Sequence, residues 1–173
     1  ARLRRMTDRS NAEELDVLVV GAGFAGMYAV HRFRNQGLGV RALEAGSDVG
    51  GTWYWNRYPG CRCDVPSSEY SYSFAKELEQ GWNWAEGMAA QPEILEYANH
   101  VAERFDLRAH IQFDTRVSSA HFDEAAKRWP IETHPGDVLQ ARCCVAATCR
   151  LSAPENPPLH PAAAFAGTAH TPR

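Results

Sequence analysis

The 173-residue sequence is short of several features that would place it in large functional classes. No apolar run approaches the roughly 18 residues a membrane helix needs, so neither a span nor a membrane partner is expected. Positive charge is not in excess: 18 Lys and Arg stand against 21 Asp and Glu, a formal net charge of −3. A nucleic-acid partner is therefore not expected, because phosphate contacts need clustered basic side chains. Residues 1–11 are polar and basic without an apolar centre, so no secretory signal is read there. Cysteine is sparse and odd in number, at five. Cys61-x-Cys63 and the adjacent Cys143-Cys144 do not match the C-x2-C spacing that presents two thiolates to one zinc ion, so no metal is expected. Unpaired thiols without a secretion signal point to a reducing cytoplasm. Cys143 and Cys144 read as strand residues, with at least one a small buried apolar side chain. No repeat is present. The length suits one moderate domain, burying about 70% of its unfolded surface, and argues against a typical two-domain enzyme.

The patterning that is present is mixed α/β. Leu15 to Val20 (LDVLVV) is an apolar, β-branched run, the kind a parallel strand buried on both faces shows. A helix is expected from about Phe24 to Gln36, ended by Gly37 and Gly39. A second strand follows over Val40 to Glu44. The stretch from Gly46 to Phe74 reads as irregular, yet it is dense in aromatics: Trp53, Tyr54, Trp55, Tyr58, Tyr70, Tyr72 and Phe74. Disordered segments lack aromatics, so this loop is expected to pack against something. Pro92 to Phe105 reads as a helix with Ile94, Ala98, Val101 and Phe105 on one stripe. Short strands are expected over 111–117, 120–122, 128–133, 138–140 and 143–148. His134-Pro135-Gly136-Asp137 is a turn, and Pro130 implies an edge or a bulge.

Gly21-Ala22-Gly23-Phe24-Ala25-Gly26 is a G-x-G-x-x-G set between a buried strand and a helix. In that context each glycine has a distinct job. Gly21 allows the tight turn, Gly23 lets the backbone approach a pyrophosphate, and Gly26 permits close helix–strand packing. The free N–H groups of the helix start face the phosphate charge. Glu44 lies 18 residues after Gly26, where a carboxylate can accept from a ribose diol and would repel a 2′-phosphate. FAD or NAD is thus expected over NADP at this site. The aromatic, glycine-bearing run from Gly50 to Phe74 tips the choice to FAD, whose large flat ring needs aromatic and backbone walls. Tyr70, Tyr72 and Phe74 equally suit a simple core role.

The stretch GGTWYWNRYPGCRCDVPSSEYSYSF (Gly50–Phe74) resembles the flavin-contacting segment of type I Baeyer–Villiger monooxygenases, within the flavin-containing monooxygenase superfamily. The likeness is nearest to the phenylacetone and steroid monooxygenase branch. It continues through Trp82–Leu107 and on to Ala147-Thr148, the start of an A-T-G motif. It covers residues 15–171 in all.

The resemblance implies an α/β, Rossmann-like FAD-binding three-layer fold with a small antiparallel β-meander, here incomplete. It implies a flexible lead-in at 1–14, the N-terminal portion of an FAD-binding domain at 15–150, and a linker at 151–173 toward an NADPH-binding domain outside this sequence. The implied chemistry is that of an NADPH-using monooxygenase. NADPH reduces the flavin, the reduced flavin takes up O2, and one oxygen is inserted beside a ketone carbonyl to give an ester or lactone. The implied partners are thus a ketone and O2.

By position, the resemblance assigns Gly21, Gly23, Gly26 and Glu44 to the ADP part of FAD. It assigns Gly51, Thr52 and Trp53 to the riboflavin part, and Asp64 and Tyr70 to the flavin. Val117 meets the adenine through its backbone. Asp64 also takes the catalytic role of a carboxylate that positions an arginine and tunes the flavin. A plain loop acid paired with Arg57 or Arg62 is the competing reading.

Two departures stand out. Cys149 occupies the glycine of A-T-G, where a Cβ would crowd FAD. The fingerprint F-x-G-x-x-x-H-x-x-x-W begins at Phe165-Ala166-Gly167 but places His170 one residue early. One dinucleotide motif is present where the family has two. The chain is therefore read as the N-terminal part of such an enzyme, inactive when isolated. An inactive FAD-binding remnant and an amine- or sulfur-oxidising flavin monooxygenase remain alternatives.

Overall fold

The computed structural model describes residues 14–134, 136–149, 151 and 167. The expected lead-in other than Glu14, most of the expected linker, and Phe165 and His170 lie outside the described residues. Strand β1 (Glu14–Val20) is central, parallel to β2 (Val40–Leu43) on one side and to β6 (Val138–Ala146) on the other. The sheet order is β3-β2-β1-β6-β5-β4. The remaining strands are β3 (Ile111–Gln112), β4 (Arg116–Ala120) and β5 (Trp129–His134).

From Val17 to Val20 β1 is wholly apolar because both of its faces are covered there. Val17 and Val19 pack with Val40 and Ala42 of β2 against Met27 and Val30 of α1 (Phe24–Asn35). Tyr97, Ala98, Val101 and Ala102 of α4 (Gln91–Arg104) complete that layer. Leu15, Leu18 and Leu43 face the other way and meet Ile131 of β5 and Ala141 of β6. Side chains of β5 and β6 thus cover the face of the sheet opposite α1 and α4. Each fully buried Met, Val or Leu stabilises this arrangement by roughly 1.5–3 kcal/mol.

Several sequence expectations change. The strand expected over 111–117 splits, because Asp114 takes a left-handed conformation (φ 51°) that a short polar side chain tolerates. β3 stays at one sheet edge while β4 begins the opposite edge. The strands expected over 138–140 and 143–148 are one strand. Residues 138–141 of β6 pair with β5, and residues from Gln140 onward pair with β1. Of the 120–122 strand only Ala120 is in β4, and Phe122 is exposed.

Pro130 lies in β5, an inner strand. Its ladder to β4 ends at Ala120–Ile131 and resumes only as the bridge Asp123–Arg128, as a missing N–H requires. The β4 bulge falls elsewhere, between Val117 and Ser119. Cys143 is exposed and Cys144 half-buried, whereas the buried cysteines are Cys61 and Cys63. The 46–74 loop also holds a single helical turn, α2 (Thr52–Trp55), and a 3₁₀ turn at Ser67–Tyr70. A short helix α3 (Lys76–Gly81) follows it. Among the described residues no helix is long and apolar enough to cross a membrane.

Candidate functional site

Three backbone segments converge at the C-terminal ends of β1, β2 and β6. Gly21 has φ +102°, and a Cβ there would lie 2.8 Å from the Ala147 carbonyl oxygen. Gly51 has φ +55°, and a Cβ there would lie 2.8 Å from Gly23 Cα. Only glycine satisfies both the left-handed backbone and the close approach. Hydrogen bonds lock the convergence: Gly21 N–H donates to Leu43 O (2.8 Å), Gly50 N–H to Ala22 O (3.1 Å) and Ala147 N–H to Val20 O (2.9 Å).

These segments open onto a cavity of about 1200 Å³. Gly21, Gly23, Glu44, Gly51, Thr52, Trp53, Asp64, Tyr70 and Val117 all line it, so folding brings together residues spread over nearly a hundred positions. Gly26 does not line it. A Cβ at Gly26 would lie 2.0 Å from the Gly21 carbonyl oxygen, so this glycine sets how closely α1 packs on the turn. The first turn of α1 carries backbone N–H groups that no intrahelical carbonyl can reach, and it points them at this cavity wall.

Glu44 is buried just past β2. Its Oε2 accepts from Ala22 N–H (2.7 Å) and its Oε1 from Gly46 N–H (2.8 Å). The carboxylate therefore holds the glycine turn itself. A carboxylate accepts about four hydrogen bonds, so capacity for a ligand hydroxyl remains.

The opposite wall is aromatic. Trp53 and Tyr70 meet edge-to-face at 5.5 Å, as do Phe24 and Tyr70. Trp53 is held from behind by Cys61, Cys63, Ala89 and Ile94, and its carbonyl accepts from Gln91. Burial pushes the Tyr70 phenol above its usual pKa, and the nearby Cys63 adds to the shift. Asp64 stands exposed on this wall. Neither arginine weighed as its partner takes that role. Arg57 donates to Tyr54 O (2.8 Å) and stacks over the Tyr54 ring, and Arg62 pairs with Glu86 (2.7 Å).

Comparisons with known proteins agree with this geometry. The NAD(P)-binding Rossmann-like domain family matches residues 19–82. A Baeyer–Villiger monooxygenase of Pseudooceanicola batsensis is 48% identical over 145 residues, covering 83% of this chain and 27% of that protein. The oxidized steroid monooxygenase bound to NADP superposes with a TM-score of 0.76 at 62% identity, covering 82% of this chain and 26% of that one. The OTEMO complex with FAD and NADP superposes with a TM-score of 0.79 at 43% identity, covering 83% and 27%.

The chain is a homologue of the N-terminal portion of Baeyer–Villiger monooxygenases.

It spans about a quarter of the length of the curated Baeyer–Villiger relatives it matches. Its departure from their A-T-G motif now has a setting. Cys149 is exposed on the cavity wall, 3.4 Å from Thr52 Oγ1. The thiol thus occupies space between the α2 turn and the segment after β6.

Sequence reasoning missed several wall residues. Asn56, nearly buried, donates to Thr52 O (2.9 Å) and Leu151 O (3.2 Å), tying those same two segments together. Thr115 and Arg116 also line the cavity, with Thr115 N–H on Glu44 O (2.9 Å). No local pattern marks them, because their placement depends on β4 crossing to the far edge of the sheet.

Proposed function

We propose that this chain is the FAD-binding portion of an FAD-dependent, NADPH-using Baeyer–Villiger monooxygenase that inserts one oxygen of O2 beside a ketone carbonyl. One observation carries the reading: the glycine turn, the Gly50–Gly51 turn and the Ala147 segment form a backbone cradle that a Cβ at Gly21 or Gly51 would obstruct. Such a cradle suits a ligand that must lie against main chain. Solved relatives of the same fold hold FAD and NADP.

On this reading residues 15–150 form the FAD-binding unit. Gly21 and Gly23 shape the turn for the pyrophosphate, and the α1 start meets its charge with free N–H groups. Gly26 fixes the helix against that turn. Glu44 keeps the Ala22 amide in place and offers its remaining lone pairs to the ribose diol. Val117 lies beside Glu44 on the adenosine side. Gly51, Thr52 and Trp53 line the riboflavin part, while Tyr70 and Trp53 shield it from water. Asp64 places a negative charge on that wall, suited to hold an arginine supplied by further sequence. When bound, FAD supplies the redox and oxygen-transfer chemistry, and the protein binds, orients and protects it. The five cysteines, none of the described ones in a disulfide, support a reducing compartment such as the cytoplasm.

Titration of the purified 173-residue chain with FAD tests the reading. Saturable binding with quenched flavin fluorescence is expected, and failure of any reconstitution rejects the site. With one dinucleotide motif present, ketone-dependent NADPH consumption by this chain alone is not expected.

A further inference from the structure

We infer that Arg116 stacks on the adenine of the bound dinucleotide and so makes this cavity favour FAD over the mononucleotide FMN. The inference rests on the FAD reading above. Arg116 is the first residue of β4 and lines the cavity with an exposed side chain. Its neighbour Thr115 is anchored to the Glu44 carbonyl, so its backbone is fixed beside the carboxylate assigned to the ribose. Val117, also on the wall, packs with the meander cluster of Leu18, Leu43 and Ile131. Trp53 belongs to a different cluster, with Cys61, Cys63 and Ile94, and Tyr70 packs against it. The two ends of the cavity are therefore built by separate parts of the core, and Arg116 stands at the adenosine end.

Two guanidinium groups line the cavity among the described residues. Arg62 is engaged by the Glu86 carboxylate and by Met88 O (2.8 Å). The Arg116 side chain forms no hydrogen bond or ion pair with the described residues, so its planar, weakly hydrated head is available. A guanidinium beside a purine has the geometry for stacking and cation–π attraction, which lysine reproduces poorly. FMN lacks the adenosine half and gains nothing from it.

The test titrates FAD and FMN into the wild-type chain and into Arg116→Ala and Arg116→Lys, at low and high salt. Cofactor-free melting curves run alongside, and an exposed side chain should leave them unchanged. Arg116→Ala is expected to weaken FAD about tenfold at both salt concentrations while FMN affinity stays the same. Arg116→Lys should recover only part of that loss. Wild-type FAD affinity in Arg116→Ala, or an equal loss for FMN, overturns the inference and leaves the FAD site standing. A loss that vanishes at high salt also overturns it, since that marks phosphate pairing rather than stacking. Failure of the wild-type chain to bind FAD removes both readings together.

Discussion

Substituting Gly26 and Gly23 separates the two jobs that the glycine motif performs. In Gly26→Ala the new methyl would sit 2.0 Å from the Gly21 carbonyl oxygen and 2.9 Å from its carbon, with the Ala147 side chain at 3.6 Å. Ordinary contact needs about 3.5 Å, so roughly 1.5 Å of separation must be found between α1 and the turn. Both partners are backbone, and Gly21 is tethered to Leu43 O, so neither yields easily. Overpacking of this kind costs about 1–3 kcal/mol and more against backbone, while the gain in helix propensity returns at most about 1 kcal/mol. A net loss of about 2 kcal/mol follows, which lowers the melting temperature of a chain this size by roughly 4–8 °C. Gly23→Ala differs. Its backbone is extended (φ −74°), and the nearest atom to the new methyl is Gly51 Cα at 3.4 Å. The fold should lose under about 1 kcal/mol, but on the proposed reading the methyl would stand where the backbone approaches the pyrophosphate. Thermal unfolding by circular dichroism without cofactor, paired with FAD titration, reads both effects. A Gly26→Ala protein that melts with the wild type would refute the packing argument. A Gly23→Ala protein that binds FAD normally would refute the assignment of the phosphate site.

Glu44→Gln replaces two acceptor oxygens with one, leaving either the Ala22 or the Gly46 amide facing an NH2 group. A loss of about 1–3 kcal/mol in urea unfolding is expected, together with weaker FAD binding. Tyr70, Tyr72 and Tyr97 all have pKa values raised by burial. The folded state therefore holds these protons more tightly than the unfolded chain. Stability is complete below the usual tyrosine pKa near 10 and falls as pH rises beyond it, so the share of tyrosinate absorbance from these three residues should appear together with loss of helical signal rather than before it. In thiol labelling Cys143 and Cys149 should react quickly and the buried Cys61 and Cys63 slowly. FAD should protect Cys149, which lines the cavity, and not Cys143. Equal protection of both would place the ligand elsewhere.

The first half of the chain was the more legible in sequence. The β1 run, the α1 start at Phe24 and the α4 stripe each follow from periods carried within a dozen residues, and the structure places them within a residue or two. The meander was misread where local pattern and pairing disagree. Asp114 is unremarkable in sequence, yet its left-handed conformation divides β3 from β4 and sends them to opposite sheet edges. Nothing local distinguishes two short strands from the single β6, whose halves serve different neighbours. The same limit hid Asn56 and Arg116.

Chemical type was settled by neighbouring residues: a glycine turn between strand and helix, an acid at the end of the next strand, and an aromatic loop. These are properties of a few adjacent backbones, which steric rules govern at short range. Who touches whom was decided by tertiary packing alone. Glu44 proved to hold the glycine turn with both oxygens, and Gly26 proved to face the turn instead of the cavity. Arg57 and Arg62 proved to be engaged away from Asp64. Hydrogen bonds and close contacts between segments separated by 22 to 126 residues answer to the assembled sheet, and no local pattern encodes them.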